Sequence, residues 1–164
     1  MTMMTKISID ILRVHVVRAM ALSSAYVAAK RQDADCWADI IPIIREDDEL
    51  LAIYWHSSCA RLYAFLCQHL KRLDGRQPDI GYDCLRLHVG IMVNSCLCDS
   101  LHQQLTSAMT AFLQNDMMAQ WMAVVLPERE PRCREEADAL LSAMAETFAI
   151  HRLPLRVRKR MEVI

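Results

Sequence analysis

Glycine is nearly missing from this chain: three residues in 164, at Gly75, Gly81 and Gly90. Clustered glycines let backbone amides close around a phosphate. Without them there is no P-loop and no dinucleotide turn, which excludes most nucleotide-binding enzyme classes. An excess of either charge is missing too. Nineteen Lys and Arg face twenty Asp and Glu, a net charge of −1, so no whole-molecule field draws the chain to nucleic acid or to an anionic membrane. Long apolar runs are absent: none reaches the roughly 18 uninterrupted residues that cross a bilayer. The opening Met-Thr-Met-Met-Thr-Lys lacks the continuous apolar stretch of a signal peptide. The expectation is an intracellular chain with no membrane contact.

Apolar residues, by contrast, make up 54% of the sequence and charged residues 24%. That balance belongs to a folded chain, and this length buries a real core without disulfides or metal. Seven cysteines at irregular spacing, an odd number, read as small buried hydrophobes with free thiols. Eleven methionines beside the apolar excess hint at surface that meets a partner chain.

Ile7, Ile9 and Ile11 alternate with polar residues, the period of a half-buried strand. From about Asp10 the period becomes helical, with Val14, Val17, Met20, Ala21, Ser24, Val27 and Ala28 on one face and an end near Lys30. Arg31–Asp35 is a polar break, and Pro42 disfavours helix in the connector of isoleucines around it. The acidic run Glu46-Asp47-Asp48-Glu49 opens a long helix reaching Leu73, its carboxylates matched to the helix dipole. Residues 74–79 turn the chain. Leu85, Leu87, Val89 and Ile91 alternate with Cys84, Arg86, His88 and Gly90, predicting a strand whose natural partner is the N-terminal one. Ser100 and Gln103 have capping-box spacing ahead of a third helix, Leu101–Val125. Pro127 and Pro131 bracket a short linker, and a last helix runs from Pro131 to about His151. The fold class expected is mainly α: a four-helix core with a small antiparallel two-stranded sheet, made by the N-terminal strand and the strand near 83–91. Residues 1–152 form a single helical domain. Residues 153–164 form a basic arm, in which Arg156, Arg158, Lys159 and Arg160 against Glu162 leave +3.

Few residues carry chemistry. Cys96, Cys98 and His102 are the only cluster resembling metal ligands, yet Cys96 and Cys98 diverge on a helix and a structural zinc wants a fourth ligand. His56 and Cys59 are three apart on a helix, within reach, but nothing supplies the oxyanion site a nucleophilic thiolate needs. Carboxylates at 46–49 and 128–138 read as helix-start electrostatics. Trp55 and Trp121 fall on apolar stripes and read as core, whereas Trp37, in the polar break, is the best aromatic candidate for an exposed contact. The expectation is no catalytic, cofactor-binding or metal residue. The candidate contacts are Trp37 and the arm residues Arg156, Arg158, Lys159 and Arg160. The arm reads as a solvated terminus, as a binder of phosphates, or as an edge strand for another subunit.

The order of elements resembles small virion proteins encoded with the head–tail genes of tailed phages and prophages of gut bacteria, the neck connector type. The resembling features are the Ile7-Ser8-Ile9 strand, Ala25-Tyr26-Val27-Ala28-Ala29-Lys30, and Glu46-Asp47-Asp48-Glu49-Leu50-Leu51 running into Tyr54-Trp55. They continue with the Leu-x-Leu-x-Val strand, Ala119-Gln120-Trp121, and the basic end Arg156-Val157-Arg158-Lys159-Arg160. The resemblance implies a non-enzymatic structural role. Copies would form a homo-oligomeric ring in the virion neck, assembled in the host cytoplasm and bridging portal and tail proteins, with non-specific contact with packaged DNA as one role for the arm. Two other classes remain open on the residues alone. One is a cytosolic helical adaptor or regulator, dimeric through a helix face. The other is a thiol- or metal-dependent enzyme drawing on Cys59, Cys96, Cys98 and His102.

Overall fold

The computed structural model describes residues 4–21, 48–74 and 79–150. The elements are β1 (Met4–Leu12), α1 (Arg13–Ala21), α2 (Asp48–Asp74), β2 (Asp79–Tyr82), β3 (Arg86–Asn94), α3 (Cys98–Val125) and α4 (Glu130–Ile150), with short 3-10 turns at Ser95–Leu97 and Pro127–Arg129. Among the described residues the fold is mainly α, with four helices against one small antiparallel sheet.

The sheet has three strands in the order β1-β3-β2, not the two expected. β1 and β3 pair as the alternation predicts, Ile7 opposite Ile91 and Ile9 opposite Val89. The third strand, β2, is four residues long with two charged or glycine positions, too short for a period to register. It pairs with β3 on the far side, Asp79 opposite Gly90 and Tyr82 opposite Leu87. β3 starts at Arg86 rather than near 83. One oxygen of Asp83 accepts from the amides of Leu85 (2.7 Å) and Arg86 (2.9 Å), and this folds residues 83–85 into the hairpin turn. Apparent alternation there continued through a turn.

One face of the sheet is core: Ile7, Ile9, Ile11, Leu87, Val89, Ile91 and Val93 are buried. Arg13 N donates to Leu85 O at 2.8 Å and carries the ladder one step past β1. Strand geometry therefore persists to Leu12, and the helix begins later than the sequence period suggested. That delay shifts its phase. Val16 and Met20 are buried in α1, whereas Val14, expected inside, is 58% exposed.

α3 is the central helix. Leu105, Met109, Phe112, Leu113, Met117, Trp121 and Met122 are all buried along it. It starts at Cys98, so Ser100 lies inside its first turn and is not the cap. Asn94 takes a capping role one turn earlier, its side chain accepting from the Cys96 amide at 3.2 Å. Pro127 and Pro131 do not bracket an open linker, because Pro127–Arg129 is itself a 3-10 turn leading into α4 at Glu130. On α2, Leu51, Trp55, Leu62 and Leu66 are buried in the core, and the Trp55 indole donates to Asp83 O at 2.7 Å, tying the helix to the hairpin turn.

Candidate interaction surface

The residues singled out as interface or arm candidates, Trp37, Arg156, Arg158, Lys159 and Arg160, lie outside the described residues, as does the part of the first expected helix from Leu22 to Lys30. The remaining candidates can be placed.

His56 and Cys59 do not work together. Cys59 is buried, and its thiol is pushed up to about 12, by burial first and then by the Asp83 carboxylate, so it is no thiolate at neutral pH. His56 is exposed and faces Tyr82, ring centroids 5.9 Å apart. Cys96 sits in the 3-10 turn, exposed, and Cys98 opens α3. His102 is turned to β1, where its Nε2 donates to Ser8 O at 3.0 Å. Arg13 is hydrogen-bonded across to Leu85, and alternate residues of an antiparallel strand point their backbone groups opposite ways, so Ser8 O faces the outer edge of β1. His102 thus guards that edge. Among the described residues, no group of three or more His, Cys, Asp or Glu side chains is arranged to hold a metal ion.

The polar chemistry that is present fastens the fold. Asp116 on α3 is 1% exposed. One oxygen accepts from Ser58 Oγ of α2 at 2.8 Å; the other pairs with Arg61 of α2 and, at 3.4 Å, with Arg134 of α4. Arg61 also pairs with Asp138 of α4 and lies over the Phe112 ring, 5.6 Å from its centroid. Burial works against the Arg61 charge, but the bonds to Asp138 and Asp116 outweigh it and raise its pKa. Gln120 donates to Ser58 Oγ at 2.9 Å and Arg134 to Glu130 at 3.0 Å. Three helices are joined at one buried carboxylate. Sequence reading missed this centre, although a signal existed. Asp116 is the only charged residue between Asp99 and Glu128, and it sits beside the apolar stripe.

A second charged group lies on the solvent face of the sheet. Lys6 of β1 reaches Asp79 of β2 at 2.6 Å by crossing the intervening strand at Gly90. A Cβ there would stand 2.7 Å from Lys6 Cε and 2.9 Å from Asp79 Oδ2, so the bridge needs the missing side chain. His88 donates from Nδ1 to Asp10 at 3.0 Å, and its other nitrogen lies 3.6 Å from Asp79. The Lys6 hydrogen bond holds the Asp79 carboxyl below its ordinary value.

Apolar exposure is concentrated elsewhere. Leu12, Val14 and Leu85 (62% exposed) project around the Arg13–Leu85 hydrogen bond, at one corner of the sheet. Beside the same hairpin turn, Tyr82 stands against His56 and against Tyr63, its centroid 6.2 Å away, on the outer face of α2. Ile53 on that face is 62% exposed. Exposed apolar side chains gathered on one patch mark contact with another chain more often than those scattered singly. Among the described residues, no helix is long and apolar enough to cross a membrane. No protein-family profile, no curated protein and no solved structure matches the chain.

Proposed function

We propose that this chain is a structural virion protein, a ring-forming head–tail connector, adaptor or completion protein in the neck of a tailed phage, bridging portal and tail. The reading rests on the resemblance in element order and on one structural observation. Leu12, Val14 and Leu85 stay exposed at the corner where Arg13 N donates to Leu85 O. A ring subunit needs such a preformed apolar corner to meet the next copy. The inert Cys59 thiol and the separate duties of His56 and His102 fit a role without chemistry. In this reading the basic arm of residues 153–164 is the contact to a neighbour or to DNA, and assembly takes place in the host cytoplasm.

The test mixes the full chain with a tailed-phage portal protein from the same genome, and separately with a tail protein, and reads the mass of the product. Rings or portal-bound copies support the proposal, and Leu85→Asp with Val14→Asp should reduce their formation at least tenfold. A chain that binds neither portal nor tail protein overturns it. A second reading, a helical adaptor acting as a dimer, is favoured by the outer face of α2, where exposed apolar side chains lie on a helix rather than on the sheet corner.

A further inference from the structure

The sheet has two outer edges. His102 covers one of them, through Ser8 O of β1. The other is β2. There Asp83 N donates to Arg86 O at 3.0 Å, and the register sets Gly81 opposite His88 and Asp79 opposite Gly90. Backbone groups alternate in direction along an antiparallel strand, so residues 79, 81 and 83 bond inward to β3, and Ile80 and Tyr82 turn their N–H and C=O groups outward. Among the described residues, no hydrogen bond reaches those outward groups. An open edge of this kind is a template for one more strand.

The side chains along the edge decide which strand fits. Ile80 and Tyr82 lie opposite Val89 and Leu87 on the core face, and Tyr82 stays exposed against His56 and Tyr63 of α2. Asp79 and Gly81 lie on the solvent face. Carboxylates mark both ends of β2: Asp79 is bonded to Lys6, Asp83 lies 4.0 Å from Arg86, and each stays more than half exposed. Between them a Cβ on Gly81 would meet nothing within 4 Å. The edge therefore suits a strand that is apolar on one face and basic on the other. A second β2 does not fit, because pairing about Gly81 sets Asp79 opposite Asp83 twice.

Outside the described residues the sequence has one run of four that alternates apolar and basic residues, Leu155-Arg156-Val157-Arg158. Set antiparallel to β2, it places Leu155 opposite Tyr82 and Val157 opposite Ile80 on the core face. Arg156 then sits over Gly81 between the two carboxylates, and Arg158 lies opposite Asp79. The amides facing β2 are those of residues 155 and 157, so Pro154, which has none, costs no bond. The arm of the same chain falls short. Phe148, near the end of α4, lies against Phe65 with ring centroids 6.4 Å apart, whereas Tyr82 lies against Tyr63. Side chains two apart on a helix diverge by about 200°, so these contacts are on opposite sides of α2. The stretch from Ile150 to Leu155 extends to about 17 Å, and the path half-way round a helix ~10–12 Å across already uses that length.

We propose that β2 is the receiving edge for the C-terminal arm of a neighbouring copy, residues 155–158 adding to it as an antiparallel fourth strand. This rests on the arm's assignment to a neighbour, and on neither portal nor tail.

A fluorescein-labelled peptide of residues 153–164, titrated with the full chain carrying Arg156→Glu and Arg158→Glu, tests the edge. Those changes leave β2 intact and keep the chain's own arms from competing. The expected result is micromolar binding. N-methylation of the peptide at Val157 should weaken it at least tenfold, and N-methylation at Arg156, whose amide faces away, should change it less than threefold. Ile80→Pro in the receiving chain removes an outward amide that β3 does not use. It should weaken binding at least tenfold with the circular dichroism unchanged; if it unfolds the chain, the two methylated peptides decide alone. No binding at about 100 µM chain, equal sensitivity to the two methylations, or binding by a folded Ile80→Pro chain at full strength overturns the proposal. Edge binding that follows the methylation pattern, in a chain that takes up neither portal nor tail protein, sustains it and removes the neck reading alone.

Discussion

Asp116 shows what a single residue does in this fold. Its carboxylate is enclosed and is met by a hydroxyl and two guanidinium groups from two other helices. Removing one member of a buried ion pair costs more than the pair contributes, because the remaining charge loses its partner. Asp116→Ala should lower unfolding free energy by about 3 kcal/mol, at the lower end of the range because both arginines keep partial access to water. Ser58→Ala removes one hydrogen bond and should cost only about 1 kcal/mol. Urea denaturation of the two variants checks the ratio. Cys59 gives a second test at this scale. Its thiol should resist a disulfide reagent at pH 8 in the folded protein and react once unfolded, while exposed Cys84 and Cys96 react at once. Fast native labelling of Cys59 would contradict the buried assignment. The pH dependence of stability follows from carboxyls held low. Asp79 is lowered by Lys6, and Asp83 by the amides of Leu85 and Arg86. Both contribute stability that is complete above the ordinary value of 3.8 and lost as pH falls through the lower folded values. Lys6→Met should flatten the acid limb of a stability–pH curve, and Asp83→Ala should flatten it further.

Among the elements, the sheet rests on a glycine beneath a salt bridge. The Lys6–Asp79 bridge spans two edge strands across Gly90, and both side chains are exposed and flexible enough to shift. Gly90→Ala should therefore cost about 1 kcal/mol or less, the scale of an exposed ion pair. Its diagnostic is coupling. In a Gly90→Val background, Lys6→Met should have no further effect on thermal stability, whereas in the parent it should have one. Equal effects in both would mean the bridge does not run over Gly90. The elements also show what could be read in advance. The long periods of α2 and α3 and the alternation of β1 and β3 were legible, because each repeats a buried face over several turns or pairs. β2 was not, being too short to repeat. The Asp83 turn was hidden inside an alternating pattern, since side chain-to-backbone hydrogen bonds leave no periodic trace. Ser100 looked like a cap, but the 3-10 turn after Asn94 had already begun the helical path.

At the scale of the whole molecule, two surfaces differ in kind. Leu12, Val14 and Leu85 are exposed at a corner of the sheet; on the outer face of α2 the exposed Ile53 and Tyr63 lie along a helix. Neither was legible as a surface in the sequence. Val14 and Leu85 fit apolar periods and read as core, and only the late helix start at Arg13 and the turn at Asp83 put them outside. Asp116, conversely, stood in plain view as a lone charge but declared its partners only when α2 and α4 were placed against α3.

The central claim is that this chain works by holding other protein chains, its own copies included. Native mass spectrometry of the full-length protein, alone and after mixing with a tailed-phage portal protein from the same genome, tests it most directly. The account predicts more than one copy in the free protein and a multi-copy complex with the portal. A single copy under both conditions, at concentrations up to about 100 µM where even weak contacts would register, would contradict it.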